Sequence, residues 1–301
     1  MGKKIERALV LSGGGGRGAF EVGVMKYLDE KGWRPDLICG TSVGAINAAA
    51  IGSGMSIPEI IRIWKTYHRK QMYRFTPPAF LRTLLSRRKF APLADTRPLR
   101  RLIEENFNIQ RLRESDIEIL VSAVNMRTSQ LRYFTHRVIE TEHIMAAGAI
   151  PMIFPWQYID GDPYWDAGIM ANTPIVPAIE LGAREIIVVL LSPLGAFPAK
   201  HPKTHQDVAE LAFEQFLIGS YTVALPNTCW KAQENPASYD TPLPDSPQLQ
   251  LAMKGKKFAT VAPTRMLGFK SILNFTPEQA DRLLEDGYNC ARMQLCNFMR
   301  S

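Results

Sequence analysis

The sequence predicts an α/β fold, and two neighbouring stretches carry most of that prediction. In each, a short apolar run ends in glycines and passes directly into residues at helical spacing. Arg7-Ala8-Leu9-Val10-Leu11-Ser12 runs into Gly13-Gly14-Gly15-Gly16-Arg17-Gly18, after which Phe20, Val24, Tyr27 and Leu28 recur on one helical face until Gly32. Leu37-Ile38-Cys39 meets Gly40-Thr41-Ser42-Val43-Gly44, and small, helix-compatible residues follow to Ala50. Glu185 to Leu191 reads as a core strand of the C-terminal half. With 301 residues and 46% hydrophobic content, the chain can fill one large α/β domain or two modest ones.

The second unit is a strand, an elbow and a helix. Side chains at Gly40 and Gly44 would clash where strand and helix cross, and Ser42 stands at the tip with its hydroxyl at a helix N-terminus, where backbone N–H groups favour developing negative charge. Taken alone, Gly-x-Ser-x-Gly is equally compatible with tight helix-on-sheet packing. The glycine loop of the first unit has three readings. A dinucleotide fingerprint, Gly13-x-Gly15-x-x-Gly18, wants an acidic residue at the end of the next strand, and Gly40-Thr41-Ser42 stands there instead. A phosphate loop wants Gly-Lys-Ser/Thr, and Gly18 is followed by Ala19-Phe20. The third reading, backbone N–H groups aimed at an oxyanion, is the most economical beside a candidate nucleophile on the following strand.

Composition excludes little by itself. The formal net charge of +7 permits nucleic acid or an anionic membrane surface as partner, and is equally an ordinary solubility charge. Met1-Gly2-Lys3-Lys4-Ile5-Glu6-Arg7 is charged and predicts no signal peptide, and Glu6 stands where a myristoylation signal wants Ser or Thr. No apolar run approaches the ~18 to 20 residues of a membrane span. Cys39, Cys229, Cys290 and Cys296 form no Cys-x-x-Cys pair, which predicts a reducing, cytoplasmic setting, no disulfide framework and no structural zinc.

Along the chain, Gly52-Ser53-Gly54 is expected to break the helix after the elbow, and Ser56-Ile57-Pro58-Glu59 to restart it. From residue 62 to 101 the composition turns basic: Lys65, Arg69, Lys70, Arg74, Arg82, Arg87, Arg88, Lys89, Arg97 and Arg100 stand against the single acid Asp95, interleaved with Trp64, Tyr67, Met72, Tyr73, Phe75, Phe80 and Phe90. Such a stretch suits a lid or a contact with an anionic membrane, or an insertion whose apolar residues pack on the main domain. No nucleic-acid-binding module surrounds it. Leu99 to Phe107 reads as a helix, Ile117 to Val124 as a strand with Gln130 to Phe134 as its hairpin partner, and Ile139 to Ala147 as a helix. A Gly161-Asp162-Pro163 turn precedes Tyr164-Trp165-Asp166-Ala167-Gly168, where Asp166 suits either a strand-end carboxylate in a crowded site or an ordinary turn aspartate. Ala196 to His205 reads as loop, Pro236 to Pro247 as a connection, and Pro277 opens a closing helix.

Three segments together resemble the patatin-like phospholipase family: Gly13 to Gly18 its glycine loop, Gly40-Thr41-Ser42-Val43-Gly44 its nucleophile elbow, and Asp166-Ala167-Gly168 its aspartate motif. Weaker similarity extends through Asp95-Thr96-Arg97-Pro98-Leu99, Ala149-Ile150-Pro151, Asn172-Thr173-Pro174 and Gly287-Tyr288. Ala167 replaces the commoner glycine, and Gly148 stands where the family often has a small hydroxyl residue or cysteine. The resemblance implies a single three-layer α/β/α domain over residues 1–301 with a mostly parallel sheet, the 62–101 stretch being an insertion. It further implies a lipid acyl hydrolase acting on phospholipid-type esters. Ser42 would be the nucleophile, Asp166 the base, and Gly14, Gly15 and Gly16 the oxyanion donors; Arg17 would anchor the loop, and neither metal nor other cofactor is required. Two enzymatic alternatives stay open. An acyltransferase would use the same acyl-enzyme, and a Ser-His-Asp esterase would recruit His201 or His205, which follow Asp166 in the order of α/β-hydrolases. The third alternative is a lipid- or protein-binding module with a dead site.

Overall fold

Arg7–Leu11 (β1) is short, and its side chains alternate between two cores: Leu9 and Leu11 face one, Ala8 and Val10 the other. Leu37–Gly40 (β2) and Glu185–Val189 (β9) divide in the same way, so the sheet is buried on both faces and the chain folds as three layers, α/β/α. The computed structural model describes residues 4–76, 92–194, 202–224 and 255–300.

In chain order, β1 leads through a 3-10 turn at Gly15–Gly18 into Ala19–Glu30 (α1), and β2 into Val43–Gly52 (α2) and Ile57–Thr66 (α3). A small antiparallel ribbon, Arg74–Phe75 (β3) with Ala94–Asp95 (β4), precedes Arg97–Asn106 (α4). Glu118–Asn125 (β5) and Gln130–Thr135 (β6) form a hairpin, followed by Thr141–Ala147 (α5), Gln157–Ile159 (β7), Asp162–Asp166 (β8), Ile175–Glu180 (α6) and β9. His205–Ala224 (α7), Lys257–Val261 (β10) and Pro277–Gln294 (α8) complete the chain with a last turn at Cys296–Arg300. The strand order is β10-β9-β1-β2-β5-β8-β7, with β6 also on β5. The first five strands of that order run parallel.

The other three break the parallel pattern, and β5 explains how. Val121 pairs with Gly40 of β2 on one edge and with Phe134 of β6 on the other. Ala123 pairs with Arg132 of β6 and with Asp166 of β8. Since β6 occupies one edge throughout, β8 takes up the edge that β2 vacates at Gly40, and Asp166 arrives two residues further along β5, about 7 Å beyond the strand end that launches the elbow.

The helix break and restart around Ser56 are as expected: the Ser56 side chain accepts from the Glu59 N–H, and the Glu59 carboxylate accepts from the Ser56 N–H. Two expectations need correction. The tight turn is Asp160-Gly161, both residues at positive φ, and Asp162 and Pro163 already belong to β8. His205 is the first residue of a long helix rather than part of a loop, because Thr204 and Asp207 cap that helix reciprocally. The basic stretch is woven into the fold: Tyr73 is buried, and Trp64 stacks on Phe275 with ring centroids 6.1 Å apart. Arg82, Arg87, Arg88, Lys89, Phe80, Phe90, His201, Cys229 and the Pro236–Pro247 connection lie outside the described residues. Cys39 and Cys290 are buried free thiols.

Helices α1 and α8 cross at two glycines. A methyl group at Gly23 would overlap the Leu284 carbonyl oxygen, and one at Gly287 the Phe20 carbonyl oxygen. Gly287→Ala is therefore expected to destabilise the fold by about 1–3 kcal/mol through overpacking, although alanine gains ~1 kcal/mol in helix propensity. Urea denaturation checks this; a midpoint at or above wild type would show that the helices can part without cost.

Candidate active site

The elbow follows from close approach. Thr41 donates its N–H to Leu11 at 3.2 Å, and a side chain at Gly44 would lie 2.5 Å from that same Leu11 oxygen, so the start of α2 rests against the end of β1. Ser42 caps α2 at φ 55 and ψ −125, a region that costs a non-glycine residue on the order of 1–3 kcal/mol and persists only when its surroundings impose it. Those surroundings are polar and buried. The Thr41 and Ser122 hydroxyl oxygens lie 2.7 Å apart, and their two protons serve that contact and the carbonyls of Ala171, 3.0 Å from Thr41 Oγ1, and Gly40, 3.2 Å from Ser122 Oγ.

Asp166 ends β8 and is 4% exposed; Ser42 is 6% exposed. The Ser42 side chain lies beside the Asp166 carboxyl, and the Gly168 N–H donates to Asp166 Oδ1 at 2.7 Å. Burial pushes the Asp166 pKa up to about 6, opposed by the neighbouring Ser42 hydroxyl and the Gly168 N–H. The sign has a cost: a carboxyl whose folded pKa is raised stabilises the fold below its usual range and loses that contribution as pH rises towards 6, so the ionised form is carried at the expense of stability. Ala167 lies at φ −72, which any residue adopts, so the position does not require glycine. Gly148 lines the cavity at Ser42, where a larger residue would take up room.

The glycine loop sits beside this pair. A methyl group at Gly13 would lie 3.0 Å from Ser42 Cβ, and Gly15 lines the same cavity at φ 57. The N–H groups at the loop's two ends are engaged, Gly13 on the Asn172 carbonyl at 3.0 Å and Arg17 on the Gly14 carbonyl at 3.2 Å. Gly14, Gly15 and Gly16 lie between them. Arg17 is fully buried. Its Nε donates to Ser271 Oγ at 2.7 Å, Nη1 to the Leu191 carbonyl and Glu214 Oε2 at 2.9 Å each, and Nη2 to Glu214 Oε1 at 2.5 Å and the Gly268 carbonyl at 3.0 Å. Every one of these partners is protein, so Arg17 ties the loop to α7.

Sequence reasoning missed several supports. Asn172 donates to the Gly13 carbonyl at 3.2 Å and to the Leu217 carbonyl at 2.9 Å, clasping the loop. Glu214 pairs with Arg17 from far along the chain, and no local signal marks it. Glu21 is fully buried, and burial holds its carboxyl well above the usual range while the Asn47 amide, donating at 2.8 Å, opposes this. A lone acid in the apolar run Ala19-Phe20-Glu21-Val22 was the available signal. Asn47 also donates to the Gly18 carbonyl at 3.1 Å and accepts from the Trp64 indole N–H at 3.2 Å. Among the described residues, no histidine lines the cavity at Ser42. His136 and His143 are engaged instead with Ile119 and Glu140.

The family model for patatin-like phospholipases matches residues 9–179, and the chain belongs to that family. The cGAMP-activated phospholipase of Vibrio cholerae is 29% identical over 203 residues, covering 56% of this chain and 55% of that protein. The human patatin-like phospholipase domain-containing protein 6 is 27% identical over 194 residues, covering 60% of this chain and 13% of that protein. The chain thus spans about half, or less, of the length of these relatives. Among solved structures, VipD from Legionella pneumophila aligns with a TM-score of 0.46 at 14% identity, covering 98% of this chain and 67% of that one.

The Asp166 carboxyl sets an expected pH dependence. A role as base of Ser42 would require its ionised form, so on that reading the rate at which a fluorophosphonate labels Ser42 should rise with pH through about 6 and level off above it. A labelling profile flat between pH 5 and pH 8 would separate Ser42 reactivity from Asp166.

Proposed function

We propose that this chain is a lipid acyl hydrolase that cleaves carboxylic esters of phospholipid or lysophospholipid type through Ser42 and Asp166. The observation that carries the reading is the placement of a hydroxyl, held at a strained elbow, beside a buried carboxyl of raised pKa. Ser42 Oγ attacks the ester carbonyl while Asp166 takes its proton, and the carbonyl π electrons move onto the oxygen. The oxyanion is held by N–H groups of Gly14, Gly15 and Gly16, each such donor contributing about 3–4 kcal/mol in related chemistry. Collapse breaks the bond to the leaving alcohol, which departs with the proton from Asp166. Water then attacks the acyl-serine, Asp166 taking its proton and returning it to Ser42 Oγ as the fatty acid leaves. Arg17 holds the loop in position from behind.

The cavity at Ser42 supports an apolar substrate, its walls including Ile46, Leu99, Phe154 and Ile272. A groove lined by Lys70, Arg74, Arg97 and Arg101, with the acids Asp95 and Glu105, lies on the described part of the basic stretch. Asp95 is paired with Arg97 at 2.7 Å, and the remaining cations give the groove a positive balance. That supports peripheral contact with anionic membrane by an insertion in a single patatin-like domain. Among the described residues no helix is long and apolar enough to cross a membrane. The buried thiols of Cys39 and Cys290 agree with a cytoplasmic setting.

Ser42→Ala is expected to abolish fatty acid release from a phospholipid panel, and Asp166→Asn to lower it by at least a thousandfold, both with wild-type circular dichroism, since nucleophile and base act as a unit. His205→Ala should cost only a few-fold on a soluble ester. Near-normal turnover in either dyad variant would overturn the assignment.

Reversing Lys70, Arg74 and Arg101 to glutamate should weaken binding to phosphatidylserine vesicles more than tenfold at 0.1 M salt, at ~1 kcal/mol per charge near the surface. Raising the salt should weaken wild-type binding in the same direction. Vesicle sedimentation reads both effects; indifference to lipid charge would remove the membrane role of this groove.

A further inference from the structure

Most of the described cations between Lys65 and Arg101 have partners. Lys65 pairs with Asp281 at 2.6 Å, Arg69 lies over the rings of Tyr73 and Phe75, Arg97 pairs with Asp95 at 2.7 Å and Arg100 with Glu142 at 2.7 Å. Lys70, Arg74 and Arg101 differ: among the described residues their side chains make no ion pair and no hydrogen bond. All three line the same groove, together with Arg97. Three elements bring them there. Arg74, on β3, stands across the ribbon from Asp95 of β4. Arg97 and Arg101 are one turn apart on α4 and share a face. Lys70 and Gln71 come from the helical turn Arg69–Met72. Asp95 orients Arg97, its Oδ1 accepting the Arg97 backbone N–H at 2.9 Å and its Oδ2 accepting Nε at 2.8 Å. Gln71 turns its amide oxygen to the His68 N–H at 3.1 Å, which leaves its amide N–H groups for another acceptor.

We infer that this groove is a binding site for a phosphate monoester, gripped by the unpaired guanidinium groups of Arg74 and Arg101 with Lys70 and the oriented Arg97 beside them. Charge decides the class of ligand. Against its four cations the groove holds two carboxylates, Asp95 and Glu105, which leaves a surplus of two positive charges. Like charges lining a concavity repel one another, and the field they focus draws in an anion that matches them. A phosphate monoester carries about −1.5 to −2 at pH 7 and presents three strong acceptor oxygens to arginine forks, whereas a phosphodiester or a carboxylate carries only about −1. Size limits what is attached. A volume of about 360 Å³ lies at the low end of the ~300–1,000 Å³ typical of small-molecule sites, enough for phosphate on a short polyol and too little for a whole lipid. The phosphate can belong to a soluble ester or to a lipid headgroup standing at a membrane surface. This goes beyond attraction to an anionic surface, which needs charge but no phosphate, and it does not depend on the pairing of Ser42 with Asp166.

Binding is read in the Ser42→Ala protein, so that turnover of an ester cannot disturb it. In calorimetric titration, glycerol 3-phosphate should bind about tenfold tighter than glycerophosphocholine, its diester counterpart. Arg74→Ala and Arg101→Ala, added singly, should each weaken glycerol 3-phosphate binding by about tenfold, the loss expected for a hydrogen bond to a charged group. Arg101→Lys keeps the charge but not the fork, and should still weaken binding. Arg62→Ala removes an exposed cation that does not line the groove, and should leave binding unchanged. Sedimentation then separates the two sources, using phosphatidic acid or phosphatidylserine in phosphatidylcholine vesicles matched for electrophoretic mobility. A preference for phosphatidic acid that Arg74→Ala and Arg101→Ala abolish assigns the site to a lipid headgroup; tight glycerol 3-phosphate binding without that preference assigns it to a soluble ester. Monoester bound no better than diester, with phosphatidic acid no better than phosphatidylserine, would overturn the site. So would losses no larger for Arg74→Ala and Arg101→Ala than for Arg62→Ala.

Discussion

The contact on which the rest of the site depends is the one between the end of β1 and the start of α2. Leu11 offers one carbonyl to the Thr41 N–H, and the absence of a side chain at Gly44 lets the helix come down onto that same oxygen. The approach leaves the chain between Gly40 and Gly44 too little length for a relaxed turn, and Ser42 takes up the strain at φ 55. The Ser42 side chain is thereby presented at the start of α2, beside Asp166. The glycine loop leaves β1 at the same level, so both halves of the candidate site refer to one pair of strands whose register is set at Leu11 and Gly40.

Around that contact the protein places buried charge and near-charge where they hold backbone. Arg17 meets the Glu214 carboxylate with two nitrogens and spends its remaining donors on two carbonyls and a serine, which leaves few unsatisfied groups in a dry site. Removing either partner would strand the other, so the pair acts as a lock between the loop and α7. Glu21 plays a quieter part: buried, with its carboxyl pushed well above the usual range, it positions Asn47, and through Asn47 the indole of Trp64. One polar network thereby holds both the Trp64 wall of the apolar cavity at Ser42 and the last carbonyl of the glycine loop.

The elbow, the glycine loop and the Asp166 segment were legible in the sequence because each is a local demand, met by residues within a few positions of one another. The capping box at Ser56 and the hairpin of β5 with β6 were legible for the same reason. Arg17 could be read as an anchor, but not what it anchors to, since Glu214 and Gly268 are joined to it only by the fold. The sheet's mixed direction was also hidden: nothing in Asp162 to Asp166 says that these residues run against β5 on an edge already half used by β2. His205 was misread because the proline-rich approach outweighed the reciprocal cap of Thr204 and Asp207. The basic stretch carried two patterns at once, and among the described residues the apolar pattern packs at Tyr73 and Trp64 while Lys70, Arg74, Arg97 and Arg101 line a groove.

The handover on β5 has a consequence for how the molecule matures. β2 and β8 share one edge of a single strand, yet they lie far apart in the chain, and β8 can settle only after β6 and α5 have been made and docked. Until β8 is placed, Asp166 is elsewhere and the Ala171 carbonyl has not reached Thr41, so one long-range pairing, with its larger entropic toll, brings both the carboxyl and a support of the elbow. On the proposed dyad reading the serine would remain inert through that interval, and reactivity would wait on the slowest strand to find its place.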